Sequence, residues 1–171
     1  RGGDIHLFFR DVNALFHYDR LANDKGYNSY TLTKNLGVRS CIYCNRVYAL
    51  THRKNSGSRL MNPQLDHWFP QSKYPLLQVS FYNLIPSCEV CNSRIKNSTE
   101  FNLHDHFHPY QLAEESITFD YHPTGSKNEY RIFFTQASDQ KIKKTSEKMY
   151  IDEMYNAHLP ELKDLLLTEQ A

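Results

Sequence analysis

Two Asp–His pairs are the residues of this chain with the plainest potential for chemistry. Asp66-His67 lies in the stretch QLDHWFPQSKYP, and Asp105-His106 lies in NLHDHFHPY. A carboxylate next to an imidazole can place a metal ligand beside a general base, because a neutral imidazole with a pKa of about 6.5 accepts a proton at neutral pH. The same pair also occurs as two polar residues of a loop, so the surrounding sequence must decide between the pairs.

Four cysteines form two pairs of equal spacing, Cys41-Ile-Tyr-Cys44 and Cys88-Glu-Val-Cys91. Two such C-x-x-C knuckles supply four thiolates, which is the ligand set of a structural zinc site. Two disulfides in a secreted protein are the alternative, but no signal peptide is visible and this spacing suits a metal better. A thioredoxin-like redox site needs only one such pair. We therefore predict a structural Zn²⁺ ion on the four cysteines.

The composition is that of a globular protein, with 171 residues of which 40% are hydrophobic and 23% are charged. This length and balance predict one folded domain rather than a disordered chain. No apolar run approaches the roughly 20 residues that a membrane span needs, and we expect a cytoplasmic protein. The formal net charge of +1 does not decide nucleic-acid binding, because a polyanion is bound by local basic patches.

The predicted elements place the chemical motifs on a hairpin and a helix. Apolar spacing predicts an amphipathic helix over 4–21 that is capped by Asp4. Further elements are predicted in chain order: a strand over 46–51, a loop over 52–63, a strand over 64–70, a helix over 89–96 and a hairpin of SITFDYH and EYRIFFTQ around PTGSKN. From Lys141 on, two helices are predicted, separated near Pro160.

These elements predict an α+β fold in a single domain over 1–171. The core module spans about 40–110, an N-terminal helical extension spans 1–39, and a C-terminal hairpin with helices spans 111–171. A core module of that size would be marginally stable without its zinc, so we expect the flanking segments to pack onto it.

The motifs of the middle, read in order as CIYC, LDHWFP and FYNLIPSCEVCNSRIK, resemble the HNH (ββα-metal) nuclease family in its zinc-stapled form. The matching positions lie within 41–96 and are Cys41, Cys44, Asp66, His67, Pro70, Asn83, Leu84, Cys88, Cys91, Asn92 and Lys96. The run DHWFPQS is also similar to the HNH domain of the RNA-guided CRISPR nuclease. The resemblance implies a ββα-metal core, stapled by a four-cysteine zinc site, that hydrolyses phosphodiester bonds of DNA.

The resemblance implies a role for each polar residue of the motif. His67 is expected to be the general base, while Asp66 and Asn92 are expected to hold a catalytic Mg²⁺ or Mn²⁺ ion. Asn83 would orient the loop of His67 by hydrogen bonding and would not touch the metal. One base and one metal imply single-strand cuts that leave a 5′-phosphate and a 3′-hydroxyl.

One geometric condition applies to these roles. Neighbours on a regular strand point to opposite faces, so Asp66 and His67 must lie at a strand end or bend if both are to face one phosphate. Pro70 agrees with such a position. Zinc would hold Asn92 near Asp66, because Asn92 directly follows Cys91.

Each candidate also has a plainer interpretation that the sequence leaves open. His67 can be a satisfied polar residue at a strand end, Asn83 a turn residue and Asn92 a helix N-cap. The second doublet belongs to a set of polar residues that no knuckle frames, so a surface role is favoured over metal ligation: His104, Asp105, His106 and His108.

The expected partner is DNA, with RNA left open and no membrane contact. Lys73, Arg94 and Lys96 are predicted to contact the nucleic-acid backbone. A further basic set lies in the hairpin loop: Arg46, Arg53, Lys54 and Arg59. We also expect a role in bacterial defence or restriction, an ATPase as a partner protein, and a homo-oligomer. The alternative function is a non-catalytic zinc-ribbon module that binds nucleic acid, and a third is a redox protein.

Overall fold

The computed structural model describes residues 7, 10–11, 14–23, 25–111, 118–125, 129–135 and 139–168 of the chain. Helices and small antiparallel sheets alternate along these residues, so the fold is mixed α+β, as the sequence predicted. The chain divides into two compact units, Arg1–Asn102 and Leu103–Ala171. That boundary falls inside the predicted 40–110 module, and the organisation as one domain stays a prediction.

The predicted helix over 4–21 is wrong in its extent. The chain leaves the helical conformation at Phe16 and His17, and helix α1 (Tyr18–Asn23) begins after this break. Leu15, which the apolar spacing assigned to a buried face, is 73% exposed. The predicted N-cap Asp4 lies outside the described residues.

Helix α2 (Ser29–Leu36) has a capping residue at each end. The Asn28 side chain accepts a hydrogen bond from the Thr31 backbone N–H at 3.1 Å, which satisfies one of the unpaired donors of the first turn. Gly37 ends the helix with φ 64°, a left-handed conformation that glycine adopts without strain.

The first sheet is a small hairpin in the region predicted to be a loop. It consists of β1 (His52–Arg53) and β2 (Arg59–Met61). The predicted strand over 46–51 is wrong and is reduced to one bridge between Ser40 and Tyr48. The reason is the tight turn of the first knuckle, where the Cys41 N–H donates to the Val47 carbonyl at 2.9 Å and so folds this stretch back on itself.

The second sheet carries the predicted Asp–His pair. Strand β3 (Gln64–His67) runs antiparallel to β4 (Leu84–Ser87), with His67 opposite Leu84. Directly opposite residues of an antiparallel pair share a face, so the buried Leu84 and His67 lie on the same side. Leu32 of α2 packs with Leu65 and Leu84 in a buried cluster, and that side of the sheet therefore faces α1 and α2.

The opposite face of β3 and β4 carries Asp66. The pairing stays regular through His67, which is the last residue of β3. Asp66 and His67 therefore point to opposite faces of the sheet. The doublet thus lies at a strand end, as the sequence analysis expected, although its two side chains leave the strand on opposite faces.

The helix predicted over 89–96 follows β4 as a π-helix, Val90–Lys96. The Asn97 N–H donates to the Asn92 carbonyl at 2.7 Å, the five-residue hydrogen-bond spacing of a π-helix. Seven-residue π-helices are rare, and such segments are concentrated at functional sites. This one brings Asn92 and Lys96 to the β3 face that carries Asp66.

The second unit contains the predicted C-terminal hairpin and more helices than predicted. Strands β5 (Phe119–Pro123) and β6 (Tyr130–Phe134) pair antiparallel. Three helices follow in chain order: α3 (Gln140–Lys148), α4 (Ile151–Asn156) and α5 (Leu159–Thr168). The extra break lies at Tyr150, whose left-handed φ of 52° interrupts the helix. Within the described parts of the chain, no helix has the length and apolarity needed to cross a bilayer.

Candidate metal centre and active site

The four cysteines of the two knuckles converge in the first unit. Their sulfur atoms all lie within 4.8 Å of one another, and all four residues are buried and unbridged. Sulfur atoms around a tetrahedral zinc ion, with Zn–S bonds of about 2.3 Å, are separated by about 3.8 Å. The cluster therefore fits a zinc ion, and the disulfide alternative is excluded for this arrangement.

The four thiols affect one another's protonation. Hydrogen bonding to Cys44 raises the pKa of Cys41 to about 12, and hydrogen bonds to Cys41 and Cys44 raise that of Cys91 well above the usual thiol value. The pKa of Cys44 is lowered, chiefly by hydrogen bonds from Cys41 and Cys91. The cluster thus stabilises one thiolate and opposes others, and a bound divalent ion would remove that repulsion.

Tyr43 connects the cysteine cluster to β3. It lies between Cys41 and Cys44 in sequence and is buried. Its hydroxyl donates a hydrogen bond to Asp66 Oδ2 at 2.5 Å. Anything that displaces the first knuckle therefore also displaces a hydrogen-bond donor from the Asp66 carboxylate.

Asp66 is only 2% exposed and its carboxylate is paired with a buried ammonium. The Lys96 Nζ lies 3.2 Å from Oδ1 and 3.1 Å from Oδ2, and it also donates to the His67 carbonyl at 2.7 Å. Burial raises the pKa of Asp66, while Lys96 and the Tyr43 hydroxyl oppose that rise. One connected polar group is thus formed by Asp66, Lys96 and Tyr43.

The predicted catalytic Mg²⁺ or Mn²⁺ site does not fit this arrangement. Both oxygens of Asp66 face the ammonium of Lys96, which repels a second cation at the same carboxylate. The Asn92 side-chain amide donates to Gln64 Oε1 at 2.8 Å, so it bonds to the strand at a different residue from Asp66. A cation on Asp66 and Asn92 would first have to displace Lys96.

His67 has the contacts of a neutral base on the other face of β3. Its Nε2 lies 2.8 Å from the Gln78 carbonyl, and because a carbonyl only accepts, Nε2 carries the proton and Nδ1 keeps its lone pair. Burial lowers the pKa of His67 below its usual value, with the Gln78 carbonyl and Asp66 opposing part of that shift. The imidazole is therefore neutral at physiological pH.

A cavity of about 380 Å³ adjoins the His67 contacts. Its lining residues come from α1, from the segment before it and from the loop after β3: His17, Tyr18, Asp19, Gln71, Ser72 and Gln78. The Tyr18 ring meets the His67 imidazole edge-on, with ring centroids 4.8 Å apart. Tyr18 and Gln78 thus belong both to the cavity wall and to the surroundings of His67, although His67 itself does not line the cavity.

Asn83 holds the loop that follows His67. Its Oδ1 accepts from the Phe69 N–H at 2.7 Å, and its Nδ2 donates to the carbonyls of Phe69 and Leu77 at 3.1 and 3.0 Å. The backbone carbonyl of Asn83 also accepts from the Trp68 N–H at 3.0 Å. With a side chain that is almost fully buried, Asn83 fixes both ends of the loop between Phe69 and Leu77, as a loop-orienting role requires.

The residues predicted to contact a nucleic-acid backbone differ in their surroundings. Lys73 lies on the surface with its Nζ 2.5 Å from Glu100, and Arg94 is an exposed partner of Glu89 at 3.8 Å. Lys96 is completely buried. A phosphate contact from Lys96 would require its ammonium to leave Asp66, so this part of the prediction has no support from the arrangement.

The second Asp–His doublet lies in the second unit, and its Asp105 forms a salt bridge with Lys144. Asp105 Oδ1 accepts from Lys144 Nζ at 2.5 Å and lies 3.3 Å from the Nδ1 of the exposed His104. Among the described residues, the four cysteines are the sole group of His, Cys, Asp and Glu side chains found close enough together for metal binding. Neither doublet belongs to that group, so the choice of Asp66-His67 over Asp105-His106 stays a prediction.

Sequence reasoning missed the residues that contact Asp66 and His67. Tyr43 carries no motif of its own, and Gln78 acts through a backbone carbonyl that any residue type would supply. Tyr18 belongs to α1, which the sequence did not separate from the helical residues before it. A buried lysine at Lys96 was also not anticipated, because lysine is seldom fully buried unless it is paired.

Comparisons of the chain with protein-family models, with curated proteins and with solved structures gave no match. The family interpretation therefore rests on the motif residues alone. What the structure establishes is an α+β chain with a buried four-cysteine cluster that fits zinc.

Proposed function

We propose that this protein is an endonuclease of the HNH type that hydrolyses phosphodiester bonds of nucleic acid, with His67 as the general base. The observation that carries the proposal is the state of His67. Its Nε2 proton is fixed by the Gln78 carbonyl, its pKa is lowered by burial, and its Nδ1 retains a lone pair. A neutral imidazole held in one tautomer is suited to remove a proton from water.

Two further features support this proposal. Asn83 fixes the loop after His67 through three side-chain hydrogen bonds, and the four-cysteine cluster ties the segment before β1 to the start of the π-helix. Fixed positions of this kind matter because a displacement of about 1 Å can cost roughly a hundredfold in rate. A structural zinc ion would thus act on the reaction only through the position of its surroundings.

Hydrolysis of a phosphodiester also needs a group that stabilises the negative charge on the phosphate and on the leaving oxygen. The proposal assigns no residue to that task. A Mg²⁺ or Mn²⁺ ion on Asp66 and Asn92 was the sequence-based prediction, and Lys96 opposes it. The nuclease proposal therefore assigns roles to His67 and Asn83 alone. The same proposal includes five points that follow from the resemblance. They are cleavage of DNA rather than RNA, a place in bacterial defence or restriction, an ATPase partner, a homo-oligomer and a cytoplasmic location.

The second candidate function is a non-catalytic zinc-ribbon module that binds nucleic acid. The observation that favours it is the neutralisation of Asp66 by Lys96, because a carboxylate that only balances a buried lysine has no part in catalysis. Both candidates bind zinc and nucleic acid, and they differ in what His67 does.

A plasmid-nicking experiment separates the two candidates. Zinc-loaded protein is incubated with supercoiled plasmid, single-stranded DNA and structured RNA, without divalent cation and with Mg²⁺ or Mn²⁺. We expect strand scission by the wild type and a loss of about 10²- to 10⁴-fold in His67→Ala, the usual contribution of a general base. The matched control is His104→Ala, whose side chain is 93% exposed and should not affect the rate. Binding without scission of any substrate would leave the binding module as the function.

A further inference from the structure

A long segment of the first unit carries basic residues and no acidic ones. Residues 25–65 contain no Asp or Glu, although the chain as a whole has a formal net charge of only +1. The basic residues of this segment are all exposed: Lys25, Lys34, Arg39, Arg46, Arg53, Lys54 and Arg59. A surface of one charge sign attracts a polyanion of the other sign.

Within this segment, two arginines lie directly opposite each other on the β1–β2 hairpin. The register pairs Arg53 with Arg59. Like charges that face each other across two strands repel each other. An anion between the two guanidinium groups would turn that repulsion into attraction.

Both guanidinium groups also lie against one aromatic ring. The Arg53 Cζ is 4.3 Å from the centroid of the Tyr30 ring, and the Arg59 Cζ is 5.9 Å from it. Tyr30 belongs to α2 and is only 5% exposed, so the ring is a fixed support. Arg53 Nη1 also donates to the Gly57 carbonyl at 2.7 Å. Side chains restrained in this way lose less entropy when they bind a ligand.

We propose that the Arg53–Arg59 pair, supported by the Tyr30 ring, is a clamp for a backbone phosphate of nucleic acid. Guanidinium groups bind phosphate through two parallel hydrogen bonds, and flanking exposed residues of the same segment extend the positive surface to neighbouring phosphates. The clamp rests on the proposed function only in taking nucleic acid as the ligand. The clamp contacts the backbone and not the bases. It therefore contributes to the affinity and orientation of binding rather than to sequence specificity.

The test measures binding apart from cleavage. A fluorescent 30-base-pair DNA duplex is titrated with full-length, zinc-loaded protein in the His67→Ala background, at salt concentrations from 50 to 200 mM. The test variant carries Arg53→Gln and Arg59→Gln. The matched control carries Lys143→Gln and Lys148→Gln, two exposed lysines of the second unit. Urea unfolding of both variants provides the structural readout.

The clamp predicts a specific pattern in these measurements. Each phosphate contact contributes about −0.9 to the slope of log K against log salt, so the double arginine variant, which loses the contact to one phosphate, should lose about 0.9 of slope. Its deficit in affinity relative to the parent should therefore shrink about 3.5-fold between 50 and 200 mM salt. The lysine control should keep the parental slope.

Three results would overturn the clamp: a parental slope in the arginine variant, an equal loss of slope in the lysine control, or competition by poly-glutamate equal to that of DNA at the same charge concentration. The last result would identify an acidic protein surface as the ligand. These failures differ from a failure of the proposed function. No scission by the wild type, together with a reduced slope in the arginine variant, would refute the nuclease alone. Scission by the wild type, together with a parental slope in the arginine variant, would refute the clamp alone.

Discussion

Removing one partner of the buried ion pair between Lys96 and Asp66 should strongly destabilise the first unit. The side chains are 0% and 3% exposed, and the ammonium lies 3.1 Å from the carboxylate. Replacing Lys96 by Met keeps the aliphatic volume and leaves Asp66 with the Tyr43 hydroxyl as a hydrogen-bond donor. Breaking a buried pair by removing one partner costs about 3–5 kcal/mol, because it leaves an uncompensated charge.

A double-mutant cycle isolates the interaction from the loss of packing. The variants are Lys96→Met, Asp66→Asn and the double variant, each measured by urea unfolding with saturating zinc. Each single variant should lose about 3–5 kcal/mol, and the double variant should lose less than the sum, because it buries no unpaired charge. The control is Lys73→Met, which removes an exposed partner of Glu100 and should leave stability nearly unchanged.

The result that would refute this reasoning is specific. If Lys96→Met unfolds within about 1 kcal/mol of the wild type, the ammonium does not compensate Asp66 in solution. Additivity within about 0.5 kcal/mol in the cycle would lead to the same conclusion. Either result would reopen Asp66 as a ligand for a divalent cation.

Three further predictions concern the zinc ligand Cys44, the hydrogen bonds of Asn83 and the pH dependence of scission. Cys44→Ser should bind less than one zinc per chain by metal analysis and should lose the cooperative unfolding of the first unit, because zinc binding energy is folding energy in such sites. Asn83→Ala removes three side-chain hydrogen bonds and leaves the Phe69 N–H unpaired, at an expected cost of about 1–3 kcal/mol in urea unfolding. The rate of scission should depend on neutral His67, whose pKa is lowered by burial. The rate should therefore fall on acidification with a midpoint below a pH of about 6.5. A midpoint above that value would contradict the neutral-base assignment.

The sequence predicted the features that depend on local pattern. Equal C-x-x-C spacing predicted the four-cysteine cluster, and the run of β-branched and aromatic residues around a turn predicted the hairpin β5–β6. Both depend on residue types that are close in sequence or paired by a repeated spacing. The α+β class follows from the same patterns.

The features that were missed depend on register and on long-range contacts. A two-residue period shows that Asp66 and His67 face opposite sides of a strand, but it does not say where the strand ends, and pairing continues through His67. The partner of Asp66 comes from Lys96, 30 residues later in the chain, on a helix whose π-type geometry has no sequence pattern. The break at Tyr150 likewise needs a left-handed residue that the sequence does not mark.

The central claim is that His67 acts as the general base of a phosphodiesterase, and one measurement tests it most directly. The rate of scission of a labelled DNA strand is measured under single-turnover conditions for the wild type and for His67→Ala, at equal zinc content and equal DNA affinity. The account predicts products with 5′-phosphate and 3′-hydroxyl ends, formed about 10²- to 10⁴-fold more slowly by the variant. Scission by His67→Ala at the rate of the wild type, or no scission by either protein, would contradict it.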